Sequence, residues 1–439
     1  MKAARSSYWE LQTMAKQATD PGMSAVSERP TAESSERLSL GQRLAVLNIV
    51  DFRYVIIANV MMFSGFQIRN MSQAWLTLEL TDSTLWVGII NAMPGFSIIG
   101  LSLLGGAMAD RSERWKIQLH TRFVIGVMAF LTAFLVTSGM IEVWHLIPIG
   151  LVTGSMFAFQ NPAGQTYVMD VVGRDRLLPA MSLNSILSNL ASIVGPAIGG
   201  ALLAIGIDVA FFALAGIYTA GFVITIFMKT RSTPNPHDGK SVTREIIEGV
   251  KYSVSHPLIR ALLFFASGSI FAGMYMALYP QYARDVLEVG EVGFGVILAM
   301  QGIGALLGST LLIIFGDIKY KGTVLIFAVV GMHAVTSVLG FTESFPVTMV
   351  VMLLSGTAFG TWFVLVPTML QTVAKAEMRG RVMSVFFMIM LIFQPGGILG
   401  GLIEKFWGIH EAFLVGAVGG VAVSVLVYVF SPALRTRYI

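Results

Sequence analysis

Between Phe52 and Phe430 the chain carries twelve predominantly apolar runs, each near the length that a membrane demands. A hydrocarbon core about 30 Å thick takes about 20 residues of helix. The runs cover 52–77, 85–109, 116–140, 144–168, 179–204 and 208–228; after a polar link come 258–285, 292–316, 322–341, 345–370, 382–404 and 410–430. Charged residues make up only 12% of the 439, against about 25% in a soluble chain. The expected fold class is therefore an all-α membrane protein with twelve transmembrane helices in two six-helix bundles. The expected organisation is a polar cytoplasmic tail at 1–50, a first bundle at 51–228 and a cytoplasmic linker at 229–257. A second bundle at 258–431 and a short cytoplasmic tail at 432–439 complete it. No apolar run follows Met1-Lys2, so the start does not read as a cleavable signal peptide.

One pattern is written twice. Pro162, Arg174-Asp-Arg176 and Gly195-Pro-Ala-Ile-Gly199-Gly200 return as Pro367, Arg379-Gly-Arg381 and Gly396-Gly-Ile-Leu-Gly400-Gly401. The prolines and arginines align at an offset of 205 and the glycines at 201. Duplication of this length in so apolar a chain points to a solute carrier whose halves rock about a central site.

Lys and Arg gather on the cytoplasmic side of membrane proteins. With both termini inside, all of the 29 Lys and Arg except Arg69, Arg284 and Lys405 fall in cytoplasmic loops, tails or adjoining helix starts. The net charge of +4 is then a topology signal, and nucleic acid is not an expected partner. The lipid bilayer and a small molecule are, and the chain is expected to act as a monomer. Without cysteine, disulfides and thiol chemistry are excluded.

Polar groups inside apolar spans usually face a cavity, because lipid makes them costly. Gln67, Arg69, Asn70 and Gln73 share one face of the first span, about 160° wide at 100° per residue. Gln160 and Asn161 sit in the fourth span, Tyr275, Tyr279 and Tyr282 form a stripe in the seventh, and Trp362 lies in the tenth. These ten residues are the candidate substrate cavity, although packing alone also accounts for an aromatic stripe. None of the 25 Asp and Glu lies near a span's midpoint, which favours an anionic, neutral or aromatic solute over an organic cation. Candidate proton carriers are His333, the one histidine deep inside a span, and the boundary acids Glu79, Asp170, Asp285 and Glu404. There is no G-x-x-x-x-G-K-[ST] loop for ATP, no metal-ligand cluster, and no nucleophile–base pair that stands out, so an enzyme is not expected.

The loop after the second span reads Gly105-Gly106-Ala-Met-Ala109-Asp110-Arg111-Ser-Glu113-Arg114-Trp115-Lys116. It resembles the G-x-L-A-D-R-x-G-R-K signature of the major facilitator superfamily, departing at Glu113 and Trp115. Ala191-Ser-Ile-Val-Gly195-Pro196-Ala-Ile-Gly199-Gly200 resembles the helix-5 motif of exporters in that superfamily, with Ala191 for its first Gly. Residues 75–81 and 377–384 look like the branch that holds enterobactin exporters and macrolide efflux proteins.

The resemblance implies a cytoplasmic latch built from Asp110, Arg111, Arg114, Arg379 and Arg381, and an export motif at Gly195, Pro196, Gly199 and Gly200. It implies a multi-pass protein of the bacterial cytoplasmic membrane that exports a hydrophobic or aromatic small molecule, such as a siderophore or macrolide. The proton gradient would drive it, with no cofactor. Alternatives are a proton-coupled importer of a small metabolite and, more remotely, a non-transporting receptor or scaffold on the same fold.

Overall fold

The computed structural model describes residues 45–232, 242–316 and 318–435, without the side chains of Ser102, Leu103, Ala107, Asp110, residues 242–246, Ala433 and Arg435. The expected tail up to residue 44, the middle of the linker, the last four residues and the latch carboxylate of Asp110 lie outside the described residues.

The first half contains α1 (Val50–Thr81), α2 (Thr84–Arg111), α3 (Arg114–Thr137), α4 (Val143–Val172), α5 (Leu177–Ile205) and α6 (Ile207–Ile226). Each expected span lies on one of them. Among the described residues, eleven spans are long and apolar enough to cross a membrane by length and composition alone. The twelfth is α1, whose 32 residues reach about 48 Å. Its apolar character is diluted by the polar face from Gln67 to Gln73, the face expected to meet a cavity.

The linker is not featureless. It contains α7 (Val242–Ser255), a helix that packs on the start of α13. Gly249 of α7 lies against Arg381, and Glu248 pairs with the same arginine at 2.8 Å. The polar composition of 229–257 had pointed to a connecting segment only; short amphipathic helices hide easily in such composition.

The second half comprises α8 (Pro257–Ser267), α9 (Ser269–Gln281), α10 (Gly290–Phe315), α11 (Lys321–Thr336), α12 (Phe345–Val373), α13 (Arg379–Met390), α14 (Phe393–Trp407) and α15 (Ile409–Phe430). Two spans are broken here. The seventh is α8, α9 and a π turn over Tyr282–Val286, which follows Pro280. The eleventh breaks between α13 and α14, where Pro395 removes a donor and its ring crowds the carbonyl of Leu391. Twelve spans result, in the order read from the sequence.

Helices within each half pack as bundles: α1 on α5 and α6, α2 on α4, α3 on α4 and α6; then α10 on α12, α9 on α14 and α15, α11 on α12 and α15. Across the halves, α2 lies along α14 and α5 along α10. We call the end that carries Arg111, Arg174 and Arg379 the basic end, and the end with Asp82 and Arg284 the far end.

The cross-half seams tighten toward the far end through small residues. A Cβ at Gly88 would run into the backbone of Gly397. One at Gly200 would stand 2.7 Å from the Glu291 carbonyl and 3.2 Å from Gly295 Cα. Between described residues, the polar and ring contacts that join the halves are the stack of Trp75 on Phe294, the Arg284–Asp82 pair at 2.9 Å and the Thr84–Gln281 hydrogen bond. All three lie at the far end.

Candidate functional site

Where the seams part, between the halves, lies a cavity of about 360 Å³. α1 contributes Gln67, Arg69 and Asn70, α2 Asn91 and Pro94, and α5 Ser192 and Pro196. From the other half come Tyr275, Tyr279, Phe294, Gln301, Phe359 and Gln394. Most of the lining is apolar or aromatic. Among the described residues no Asp or Glu reaches it, and Arg69 is its one formal charge.

Arg69 is buried, with 6% of its surface exposed. Its guanidinium donates to Asn70 Oδ1 at 3.0 Å, and to Gln73 Oε1 and Thr153 Oγ1 at 3.4 Å each. The Cζ also stands 5.5 Å from the Phe66 ring centre and 6.0 Å from that of Phe157, within cation–π range. No acid among the described residues pairs with it. Nε makes no hydrogen bond of standard geometry, although the buried Tyr218 hydroxyl lies beside the guanidinium. A buried cation held only by neutral groups leaves an electrostatic vacancy for an anion or an electron-rich ring.

Phe66 and Phe157 meet edge to face at 5.3 Å. Together with Ile98 they separate the central cavity from a second chamber of about 420 Å³, wholly within the first half. This chamber is lined by amides, among them Asn59, Gln118, Gln160, Asn161, Gln165 and Asn184.

The ten cavity residues read from the sequence therefore divide. Gln67, Arg69, Asn70, Tyr275 and Tyr279 line the central cavity. Gln160 and Asn161 line the second chamber instead. Gln73 stands behind Arg69 as its acceptor. Tyr282 is off the path: its hydroxyl donates to the Thr342 carbonyl at 2.6 Å and its ring packs edge-on to Phe413. Trp362 is buried behind Phe359, 5.6 Å between ring centres, and Phe359 is the ring that reaches the cavity. The tyrosine stripe thus turns into the bundle at Tyr282.

The candidate proton carriers fall apart in space. His333 is buried against Phe271, with Nδ1 2.8 Å from Tyr275 Oη; through that tyrosine it is one hydrogen bond from the cavity. Asp170 is held by Arg114, whose Nη1 donates to both carboxylate oxygens at 2.8 Å. Glu79 accepts from Trp75 Nε1, Asp285 pairs with Arg284, and Glu404 accepts from Gln281 Nε2 at 3.0 Å.

The latch arginines bind different partners among the described residues. Arg114 is bound inside its own half by Asp170, and Arg381 by Glu248 of the linker helix, while Arg379 donates to the Ala374 carbonyl at 3.4 Å. Arg111 is exposed. Trp115 and Glu113, the two departures from the signature, have local duties: Arg231 stacks on the indole at 3.7 Å and also pairs with Glu113. The export-motif glycines face two ways. Gly195 and Gly199 pack on Gln67 and Met71 of α1, whereas Gly200 faces α10 across the seam.

Residues 42–436 match the family described as transmembrane secretion effector. The chain belongs to this exporter family of the major facilitator superfamily. Similar relatives include the multidrug efflux pump Tap of Mycolicibacterium fortuitum, 24% identical over 85% of this chain and 93% of Tap. The staphyloferrin A transporter of Staphylococcus aureus is 22% identical over 88% and 97% of the two chains. The enterobactin exporter EntS of Shigella flexneri is 24% identical over 75% and 79%. Among solved structures the nucleoside transporter NupG superposes with a TM-score of 0.69 at 13% identity, covering 86% of this chain and 98% of NupG. A bacterial homologue of the lysosomal transporter Spinster, described as inward-facing, gives 0.67 at 14% identity, covering 88% and 96%. These structural likenesses speak for the fold alone.

This facilitator also holds a second embedded cation that the sequence reading missed. Arg122 is 2% exposed; it donates to Thr225 Oγ1 at 2.5 Å and to Asn59 Oδ1 at 2.8 Å. It had counted as a loop-side charge because the third span starts nearby. Eight residues of helix carry it about 12 Å past Arg114, well inside the bundle. Position within the span, rather than distance from the loop in sequence, was the usable signal.

Proposed function

We propose that the chain exports a hydrophobic or aromatic small molecule, neutral or anionic, by alternating access driven by the proton gradient. The observation that carries this reading is the central cavity. It is mostly apolar and aromatic, and among the described residues its only charge is Arg69 and no carboxylate reaches it. Organic cations find no partner there, while an anion or an electron-rich ring meets a buried guanidinium. The named roles of the relatives, drug efflux and siderophore transport, support export and a siderophore, macrolide or similar drug as cargo.

In this reading the basic end is cytoplasmic, as the Lys and Arg distribution favours, and both termini face the cytoplasm of a bacterial inner membrane. The bundles 51–228 and 258–431 rock as bodies about the cavity. With the far-end seams closed, solute enters from the basic end. Rocking then parts α2 from α14 and α5 from α10 and closes the basic end, where Asp110 and the arginines at 111, 379 and 381 engage. His333, through Tyr275, is the titratable group best placed to couple protons, and no cofactor takes part.

Direction is tested by comparing energised uptake into inverted vesicles with uptake by whole cells. Export predicts accumulation in the inverted vesicles alone; accumulation in whole cells alone would establish the importer.

A further inference from the structure

We propose that the amide-lined chamber beside the central cavity is a second solute subsite. It takes an uncharged group rich in hydroxyl or amide N–H while the apolar body of the same solute occupies the central cavity. The proposal rests on the reading of the chain as a solute transporter and names the kind of solute.

Three observations carry it. First, the chamber adjoins the central cavity across one shared wall, the side chains of Phe66, Ile98 and Phe157, which line both. A solute lying across that partition has its apolar part on the aromatic side and its polar part among amides.

Second, the Gln160 side chain is buried, with 8% exposed, and its Oε1 has no hydrogen-bond partner. The backbone carbonyl of the same residue is satisfied, accepting from Gln118 Nε2 at 2.8 Å. A buried acceptor left open is costly, and only a donor relieves it. An ionised carboxylate or a fully ionised phosphate has no proton to give, which excludes it from this position. An ammonium would donate, yet it would then lie in a chamber with no acid and with Arg122 behind its wall.

Third, a fixed chain of hydrogen bonds sets the chamber's donor. Arg122 can only donate, so Asn59 must turn its oxygen to Nη2 at 2.8 Å. Asn59 Nδ2 then donates to Asn184 Oδ1 at 3.1 Å. The oxygen of Asn184 is thereby used, and its amide N–H groups remain to serve a ligand. A hydroxyl suits both neighbours, giving its proton to Gln160 and accepting one from Asn184. This also gives the buried Arg122 a purpose: it polarises the amide pair that presents the donor.

The test uses the full-length protein in lipid nanodiscs and three probes that share one coumarin body: 7-methoxy-4-methylcoumarin, 4-methylumbelliferyl β-glucoside and 4-methylumbelliferyl sulfate. The methyl ether has no hydroxyl to donate, and equilibrium binding is measured for all three. The glucoside should bind more tightly than the methyl ether, and Gln160→Leu should weaken the glucoside about tenfold, the worth of about one hydrogen bond. The same variant should leave methyl ether and sulfate binding unchanged, which also reports that it folds. Should Gln160→Leu fail to fold, Asn184→Leu removes the donor at the chamber's other wall and should give the same selective loss. A glucoside that binds no better than the methyl ether, or one indifferent to both variants, overturns the subsite. Binding needs no transport, so selective glucoside binding without vesicle transport would keep the subsite and overturn the transport reading. Transport without glucoside selectivity would do the reverse.

Discussion

The far-end seam is open to a sharp test because its closest point is backbone on backbone. A Cβ introduced at Gly88 would meet the carbonyl of Gly397 and the nitrogen of Ile398, and neither can rotate away as a side chain would. The strain is relieved only if α2 and α14 separate. Overpacking of this kind costs about 1–3 kcal/mol, and here the cost falls on the state closed at the far end. Gly88→Ala should therefore shift the closed-to-open equilibrium by about 5- to 150-fold toward far-end opening. The chain has no cysteine, so Ala277→Cys provides a single reporter. Ala277 is 1% exposed, packed with Ala74, Leu78 and Val87 beneath the seam. A membrane-impermeant maleimide added from the far-end side should label it faster in the Gly88→Ala background by that factor. Gly106→Ala is the control: the same helix has open space there, so labelling should not rise. A folded Gly88→Ala protein that labels no faster than its parent would refute the claim that this seam closes the far end.

Two further outcomes follow from the buried charges. Asp170→Asn should lower the thermal unfolding midpoint, since it leaves Arg114 without its bidentate partner. Breaking a fully buried pair costs about 3–5 kcal/mol, and the partial exposure of these two side chains, 10% and 19%, reduces the expectation to about 1–3 kcal/mol. An unchanged midpoint with proton-driven transport abolished would instead make Asp170 a proton carrier. Arg69→Ala should weaken binding of an anionic aromatic solute by about 10- to 150-fold, the range for a charge-assisted hydrogen bond of about 1.5–3 kcal/mol, and leave a neutral analogue nearly unaffected. Equal loss of both ligands would mean that Arg69 organises the cavity wall and does not contact solute.

The twelve spans were legible because lipid imposes a length and an apolarity that composition cannot disguise. Their breaks at Gly268 and after Leu391 followed from glycine and proline nearby but had no signature of their own. Gln67, Arg69 and Asn70 on the polar face of α1 line the central cavity, as polar groups too costly to place against lipid are expected to do. Tyr282 and Trp362 shared that logic and still turned away, because a helical stripe says which residues lie together and not which neighbour covers them. Asn59, Asn91, Asn184, Gln301 and Gln394 reach the two chambers from separate helices. Single amides in long apolar runs gain meaning only when tertiary packing brings them together. The linker helix was hidden for a related reason, since 14 residues of mixed polarity satisfy a loop as well as a helix.

The most direct test of the central account compares solute retention in cells lacking this protein with retention in complemented cells. The panel should contain a neutral macrolide-like solute, an anionic catecholate and a permanently cationic dye. A cavity with Arg69 and no carboxylate predicts that loss of the protein raises retention of the neutral or anionic solute and leaves the dye unchanged. Raised retention of the cationic dye alone would contradict it.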